Sequence, residues 1–243
     1  MNKKIINSAI KKSAKLKWVG YFVLLSALFF SCKGNNIKQT KNVASKSKMK
    51  ISNQDRKYIY LTFDDGPLNG SENIDSVILA EKLKISVFLV GRQVLKNRSM
   101  ETYFKYYEDN PYIDEYNHSF SHANNEYQEF YSNTASVVAD IEKNQDTLKL
   151  PFKILRLPGR NMWRIDGRKK NDEISGAAAA DTLALLGYKV IGWDIEWRHD
   201  DKTGAPLQSA VEIKNKIDTL LNEGKTFTPG NIVVLLHDEM FKE

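Results

Sequence analysis

The chain has one cysteine, Cys32, so no disulfide within it can staple a fold. It has four histidines and six prolines in 243 residues. Its first fifty residues contain no acidic side chain, yet they hold twelve lysines. The formal net charge of +6 therefore misleads, because the remaining residues carry 24 basic and 30 acidic groups. A nucleic-acid binder concentrates positive charge on its folded part, and this chain does the reverse, which excludes DNA and RNA as partners. There is no internal repeat at solenoid spacing. The one long apolar run, Trp18 to Phe30, is too short for a comfortable membrane span.

That run follows Lys3, Lys4, Lys11, Lys12, Lys15 and Lys17 and ends in Ser31-Cys32-Lys33-Gly34, the layout of a secretory signal. It resembles a bacterial lipoprotein signal with Phe29-Phe30-Ser31-Cys32 as the lipobox. Residues 1–31 would be removed and Cys32 lipidated at the new N-terminus. The expectation is an exported, membrane-anchored lipoprotein of the cell envelope. Residues 32–56 are rich in Lys, Asn and Ser and have too few apolar side chains to offset ordering entropy, so they read as a flexible tether. Residues 57–243 are left for one folded domain.

Within that domain strand-like and helix-like runs alternate. Strands are expected at 58–63, 85–90, 112–116, 152–157, 188–193 and 232–236. Helices are expected at 72–84, 93–108, 134–150, 177–186 and 210–222, with Gly187 and Gly224 where C-caps belong. The alternation predicts a parallel sheet with crossover helices, open or closed into a barrel. Six strands leave a barrel short by one or two, to be filled by a partner or an early segment, or left incomplete.

Chemistry gathers at the predicted strand ends. Thr62-Phe63-Asp64-Asp65-Gly66-Pro67 ends the first strand with two adjacent carboxylates, which can divide cation binding from proton transfer. His118-Ser119-Phe120-Ser121-His122 follows the third, two imidazoles at the spacing of a helical turn, as two ligands of one metal require. Two imidazoles and a carboxylate suit a hydrolytic metal centre; the same set also describes non-haem iron oxygenases, the runner-up enzyme class. Arg156-Leu157-Pro158-Gly159 ends the fourth strand, where an arginine can keep a carboxylate ionised. Trp193-Asp194-Ile195-Glu196-Trp197 ends the fifth with two acids and two indoles, which are usually core but also stack on sugars. Leu235-Leu236-His237-Asp238 ends the sixth with a histidine suited to general acid work. His199 has no partner pattern and reads as a surface residue.

These five segments, in this order, resemble the motifs of the polysaccharide deacetylase family (NodB-homology domain, carbohydrate esterase family 4). The resemblance implies an α/β fold, a distorted (β/α) barrel of the polysaccharide deacetylase type, here without the family's last helix and strand. It implies Asp64 as catalytic base and Asp65, His118 and His122 as ligands of a divalent metal, usually zinc, with cobalt or nickel as alternatives. Arg156 would pair with Asp64, and His237 would be the acid, with Glu196 or Asp194 beside it. Leu235 would line the acetyl pocket, and Gly159, Arg160 and Trp197 would meet the substrate, an N-acetylated polysaccharide. The reaction would be metal-assisted amide hydrolysis releasing acetate; the alternative is a non-catalytic carbohydrate-binding relative. Two departures stand out. The family places an aromatic residue after the proline of the third motif, where this chain has Gly159-Arg160-Asn161, and an Asp-Trp in the fourth, where it has Glu196-Trp197.

Overall fold

The computed structural model describes residues 56–242. The signal, the lipobox and the tether up to residue 55 lie outside the described residues. Among the described residues no helix is long and apolar enough to cross a membrane.

Strand β1 (Tyr58–Gly66) is the spine. It pairs in parallel with β2 (Ile85–Leu89) on one side and β9 (Asn231–His237) on the other. β2 continues to β3 (Ile113–Asn117), β3 to β4 (Ile154–Leu155) and β4 to β7 (Lys189–Val190), all parallel. Beyond β9 lies β8 (Ile195–Glu196), also parallel. Side chains alternate along these strands, as a pleated backbone requires. Phe63, Val87, Leu89, Val234 and Leu236 face outward onto α1 (Ser71–Glu81), α3 (Arg98–Asp109) and α7 (Ala210–Asn222) through Ile74, Ile78, Tyr107, Ile213 and Ile217. A second apolar cluster joins Leu155 and Val190 to Val137 and Ile141 of α5 (Thr134–Leu148) and Ala180 and Leu183 of α6 (Ala177–Leu185).

The expected shortage of strands is met by the fifth predicted strand, which serves both ends of the sheet. Ile191 N–H donates to Leu155 O at one end, and Asp194 N–H donates to Val233 O at the other. The sheet so curls into a distorted barrel. A hairpin not expected from the sequence, β5 (Trp163–Ile165) and β6 (Arg168–Lys170), adds antiparallel to β7 and braces this seam. The indole of Trp163 stacks on Phe227 at 4.3 Å, and Arg168 donates to Phe227 O and Thr228 Oγ1.

The helix expected over 93–108 is two, α2 (Gly91–Val94) and α3, because Asn97 accepts from Met100 N–H and starts a new helix. A short helix α4 (Tyr127–Ser132) was also not expected. Gly187 and Gly224 adopt positive φ, 88° and 65°, just past α6 and α7. After β9 a 3-10 turn, Asp238–Phe241, packs on α1.

Inside the barrel, the guanidinium of Arg156 fills the mid-section, fully buried, 4.3 Å from the Phe88 ring centroid. Below it, toward the strand N-termini, a cavity of about 350 Å³ is lined by Tyr60, Ser86, Tyr116 and Val233 among others. Above it lies the second opening, at the strand C-termini, where α/β barrels keep their chemistry.

Candidate active site

β1 carries Asp64 into the barrel mouth, in register with His237 of β9. Asp64 is 3% exposed, and its Oδ1 accepts from Arg156 Nη1 at 2.7 Å. Arg156 also donates to Thr62 Oγ1, Ile191 O and Gly192 O, so four groups on two segments, β1 and the chain after β7, fix it. Burial lowers its pKa against the opposing pull of Asp64, yet a guanidinium stays protonated and sets a fixed positive charge beside that carboxylate.

Asp65 follows with φ 70°, a left-handed conformation that turns its carboxylate toward the mouth, beside the imidazoles. Its Oδ1 lies 3.2 Å from His118 Nε2 and 2.9 Å from His122 Nε2, and the ligand atoms of the three residues lie within 4.8 Å of one another.

The two imidazoles do not share a helical turn. Residues 118–122 form an irregular loop in which Ser119 and His122 have φ of 67° and 50°, and the ring centroids meet at 5.2 Å. The spacing therefore places the rings together through a loop, because the backbone is nailed to α5. Asn117 Oδ1 accepts from Ser119 N–H and Asn144 Nδ2, and Asn117 Nδ2 donates to Ile141 O. Asp140 Oδ2 accepts from the N–H groups of Phe120 and Ser121, and Ser119 Oγ accepts from His122 N–H.

The donor set fits a divalent cation. His118 Nδ1 lies 2.9 Å from Arg156 O, which fixes the proton there and leaves Nε2 with its lone pair toward Asp65. His122 Nδ1 faces Asn125 Oδ1 in the same sense, at 3.4 Å. Asp65 Oδ1 is buried without a hydrogen-bond partner. Three acceptors converging on one point repel one another unless a positive charge joins them. Although burial pushes Asp65 up, His118 and His122 hold it well below the usual carboxylate range, so Asp65 is anionic and available to a cation. Burial pushes His122 down, and Asp65 outweighs that and raises it.

A cleft of about 260 Å³ at this point is lined by Asp64, Asp65, His118, His122, Tyr127, Gly159, Trp193, Glu196, Leu235 and His237. His237 Nε2 lies 3.9 Å from Asp65 Oδ2. The Gly159 N–H donates to no protein acceptor among the described residues, which leaves it available at the cleft wall.

Three residues stand elsewhere than the sequence suggested, and Glu196 reaches the cleft without meeting His237. Asp194 does not flank His237, because its carboxylate accepts from Phe227 and Val233 N–H and closes the seam. Glu196 lines the cleft but makes no hydrogen bond to His237, whose Nδ1 is buried without a partner. Trp197 faces away from the cleft; its indole donates to Gln208 O and packs against the outer core, while Trp193 lines the cleft. Arg160 is 6% exposed and lies outside the cleft lining, held by Ser175 Oγ and Gly159 O. His199, read as a surface residue, is half-buried with its ring 4.9 Å from that of His237. Tyr127 was missed altogether. Its one sequence signal is indirect, the absence of an aromatic side chain at position 159.

A distorted α/β barrel thus gathers a carboxylate, two imidazoles and a second, arginine-paired carboxylate at its strand C-termini. Residues 51–181, more than half of the chain, match the sequence model of the polysaccharide deacetylase family. The chain belongs to that family. Solved structures with this fold include a CE4 esterase from Streptococcus mutans (TM-score 0.56, 22% identity, 76% of this chain and 75% of that one). They also include a polysaccharide deacetylase from Bacillus cereus (TM-score 0.53, 21% identity, 76% and 80% covered). A third is the catalytic domain of a peptidoglycan N-acetylglucosamine deacetylase from Eubacterium rectale (TM-score 0.54, 21% identity, 77% and 79% covered). No curated protein matches the sequence.

Proposed function

We propose that this chain is a metal-dependent deacetylase that removes acetyl groups from an N-acetylated envelope polysaccharide and releases acetate. The observation that carries this reading is the convergence of Asp65, His118 and His122 beside the Asp64–Arg156 pair on one rim. The E. rectale structure, described as acting on peptidoglycan N-acetylglucosamine, supports the substrate class. A divalent cation held by Asp65, His118 and His122, zinc in this reading, supplies Lewis acidity toward the acetamide carbonyl and lowers the pKa of water.

The protein groups do the rest. Asp64, paired with Arg156, takes the proton from the attacking water; its Oδ2 lies 3.7 Å from His118 Nε2, next to the ligand cluster. The Gly159 N–H donates to the oxyanion as the carbonyl becomes tetrahedral. His237 gives a proton to the departing amine, and Leu235 closes the wall against the acetyl methyl. Among the described residues no carboxylate accepts from His237 Nδ1.

Acetate release from N-acetylglucosamine oligomers and from peptidoglycan, with and without chelator, tests the reading. Release that stops with chelator and returns with metal is expected. Metal-loaded protein that releases acetate from none of these substrates would sink it in favour of a non-catalytic binding relative. The reading extends to a lipoprotein tethered through lipidated Cys32. Mass spectrometry of the processed N-terminus tests that part, and a Cys32→Ala chain recovered in the membrane fraction like wild type overturns it.

A further inference from the structure

The third motif ends in Gly159, which adopts φ 61° at the cleft wall. A Cβ placed there would lie 3.0 Å from Tyr127 Cε1 and 3.3 Å from its Cδ1 and Cζ. The ring of Tyr127 thus occupies the space that any side chain at 159 would need. It arrives from a different element, the first residue of α4, and stands edge-on to His122 with ring centroids 5.8 Å apart.

Tyr127 is also held from behind. The Arg160 guanidinium lies 5.6 Å from its ring centroid and 4.8 Å from that of Tyr131, pinned by Ser175 Oγ and Gly159 O. Tyr131 Oη in turn donates to Pro158 O at 2.7 Å, which ties α4 to the third-motif loop. An aromatic ring fixed on two sides presents a rigid apolar surface at small entropic cost. Tyr127 lines the cleft and also borders a polar groove of about 740 Å³ on its far side, where Asn125, Gln128 and Glu129 offer donors and acceptors.

We propose that Tyr127 is the substrate-positioning platform of this protein. Its ring packs on the sugar that carries the acetamide, and the groove beyond it takes the hydroxyls of the neighbouring sugar. The residue at 159 is glycine so that the platform can be supplied by α4. This rests on the deacetylase reading, and it narrows the substrate to a chain of at least two sugars running from the cleft across Tyr127.

The test measures binding of the N-acetylglucosamine trimer by titration calorimetry, together with kcat and KM for the same trimer. The variants are Tyr127→Phe, which keeps the ring, and Tyr127→Leu, which keeps apolar volume against the second core cluster without an aromatic face. Tyr127→Phe is expected to bind within about twofold of wild type. Tyr127→Leu is expected to lose about tenfold in affinity and in kcat/KM, mostly through KM, the size of one aromatic packing interaction. Metal stoichiometry and melting temperature should be those of wild type in both. Wild-type affinity in Tyr127→Leu overturns the platform while leaving the deacetylase reading intact. So does a loss in Tyr127→Leu that is accompanied by loss of metal. A wild-type protein that neither binds nor deacetylates the trimer overturns both.

Discussion

At the scale of single residues, the two adjacent aspartates are separated by their surroundings. Asp64 is buried against Arg156, while Asp65 turns through positive φ toward two imidazole nitrogens. Asp64→Asn is therefore expected to lower turnover by about 10²–10⁴-fold and to leave bound metal at one ion per chain, checked by acetate assay and elemental analysis. If metal is lost in parallel with activity, the two aspartates do not divide the work. The sequence made these residues legible because each sits where an apolar run ends in a turn. It did not make Trp193 and Trp197 distinguishable, since which of two indoles faces a cleft depends on strand register, and the chain switches pairing partner between them. Tyr127 was illegible for a related reason: its role is set by what position 159 lacks, and the two meet only in space.

At the scale of elements, the loop that holds the histidines depends on α5 rather than on its own helicity. Removing the Asp140 carboxylate leaves two backbone N–H groups without their acceptor. Asp140→Ala is expected to weaken metal affinity by about 10- to 100-fold and to cost about 2 kcal/mol of stability, measured by competition with a chelating dye and by urea unfolding. An unchanged metal affinity would show that the loop holds its shape unaided. The β5–β6 hairpin has a turn signal in the sequence, Asp166-Gly167 between short strand-like runs, with φ of 52° and 74°. A Cβ at Gly167 would meet nothing within 4 Å, so its substitution reports backbone strain alone. Gly167→Ala should cost about 1 kcal/mol, seen as a lower Tm with unchanged kcat, because the hairpin contributes no residue to the cleft lining. The parallel strands were legible from hydrophobic runs; α4 and the short seam strands were not, because two- to six-residue elements are defined by their neighbours and not by a period of their own.

For the whole molecule, two carboxylates, Asp238 buried and Glu115 half-buried, tie stability to pH. Burial, reinforced by Glu108, raises Glu115 to about 8, and its Oε1 has no partner. Burial also raises Asp238 to about 7, against the opposing hydrogen bonds of Ser71 Oγ at 2.5 Å and Tyr107 Oη at 2.9 Å. In the unfolded chain both groups ionise near pH 4, so between about pH 4 and 8 the folded state holds more protons. Their contribution is full below about pH 4 and is lost as pH rises through about 7 and 8. The Tm of metal-free protein should fall from pH 6 to pH 9, and Glu115→Gln should flatten that fall, gaining at least about 1 kcal/mol on wild type at pH 9. Parallel wild-type and variant curves would assign the decline to other groups.

Arg156 gives the barrel one further property. Its guanidinium stoppers the tube at mid-height, with a chamber below and the reacting groups above. Solvent and substrate then enter the upper half from one end only, and the lower half is insulated from catalysis. Mutational drift around Tyr60, Ser86 and Tyr116 can proceed without disturbing the rim, while a change at position 156 would unplug the tube and release the base in a single step.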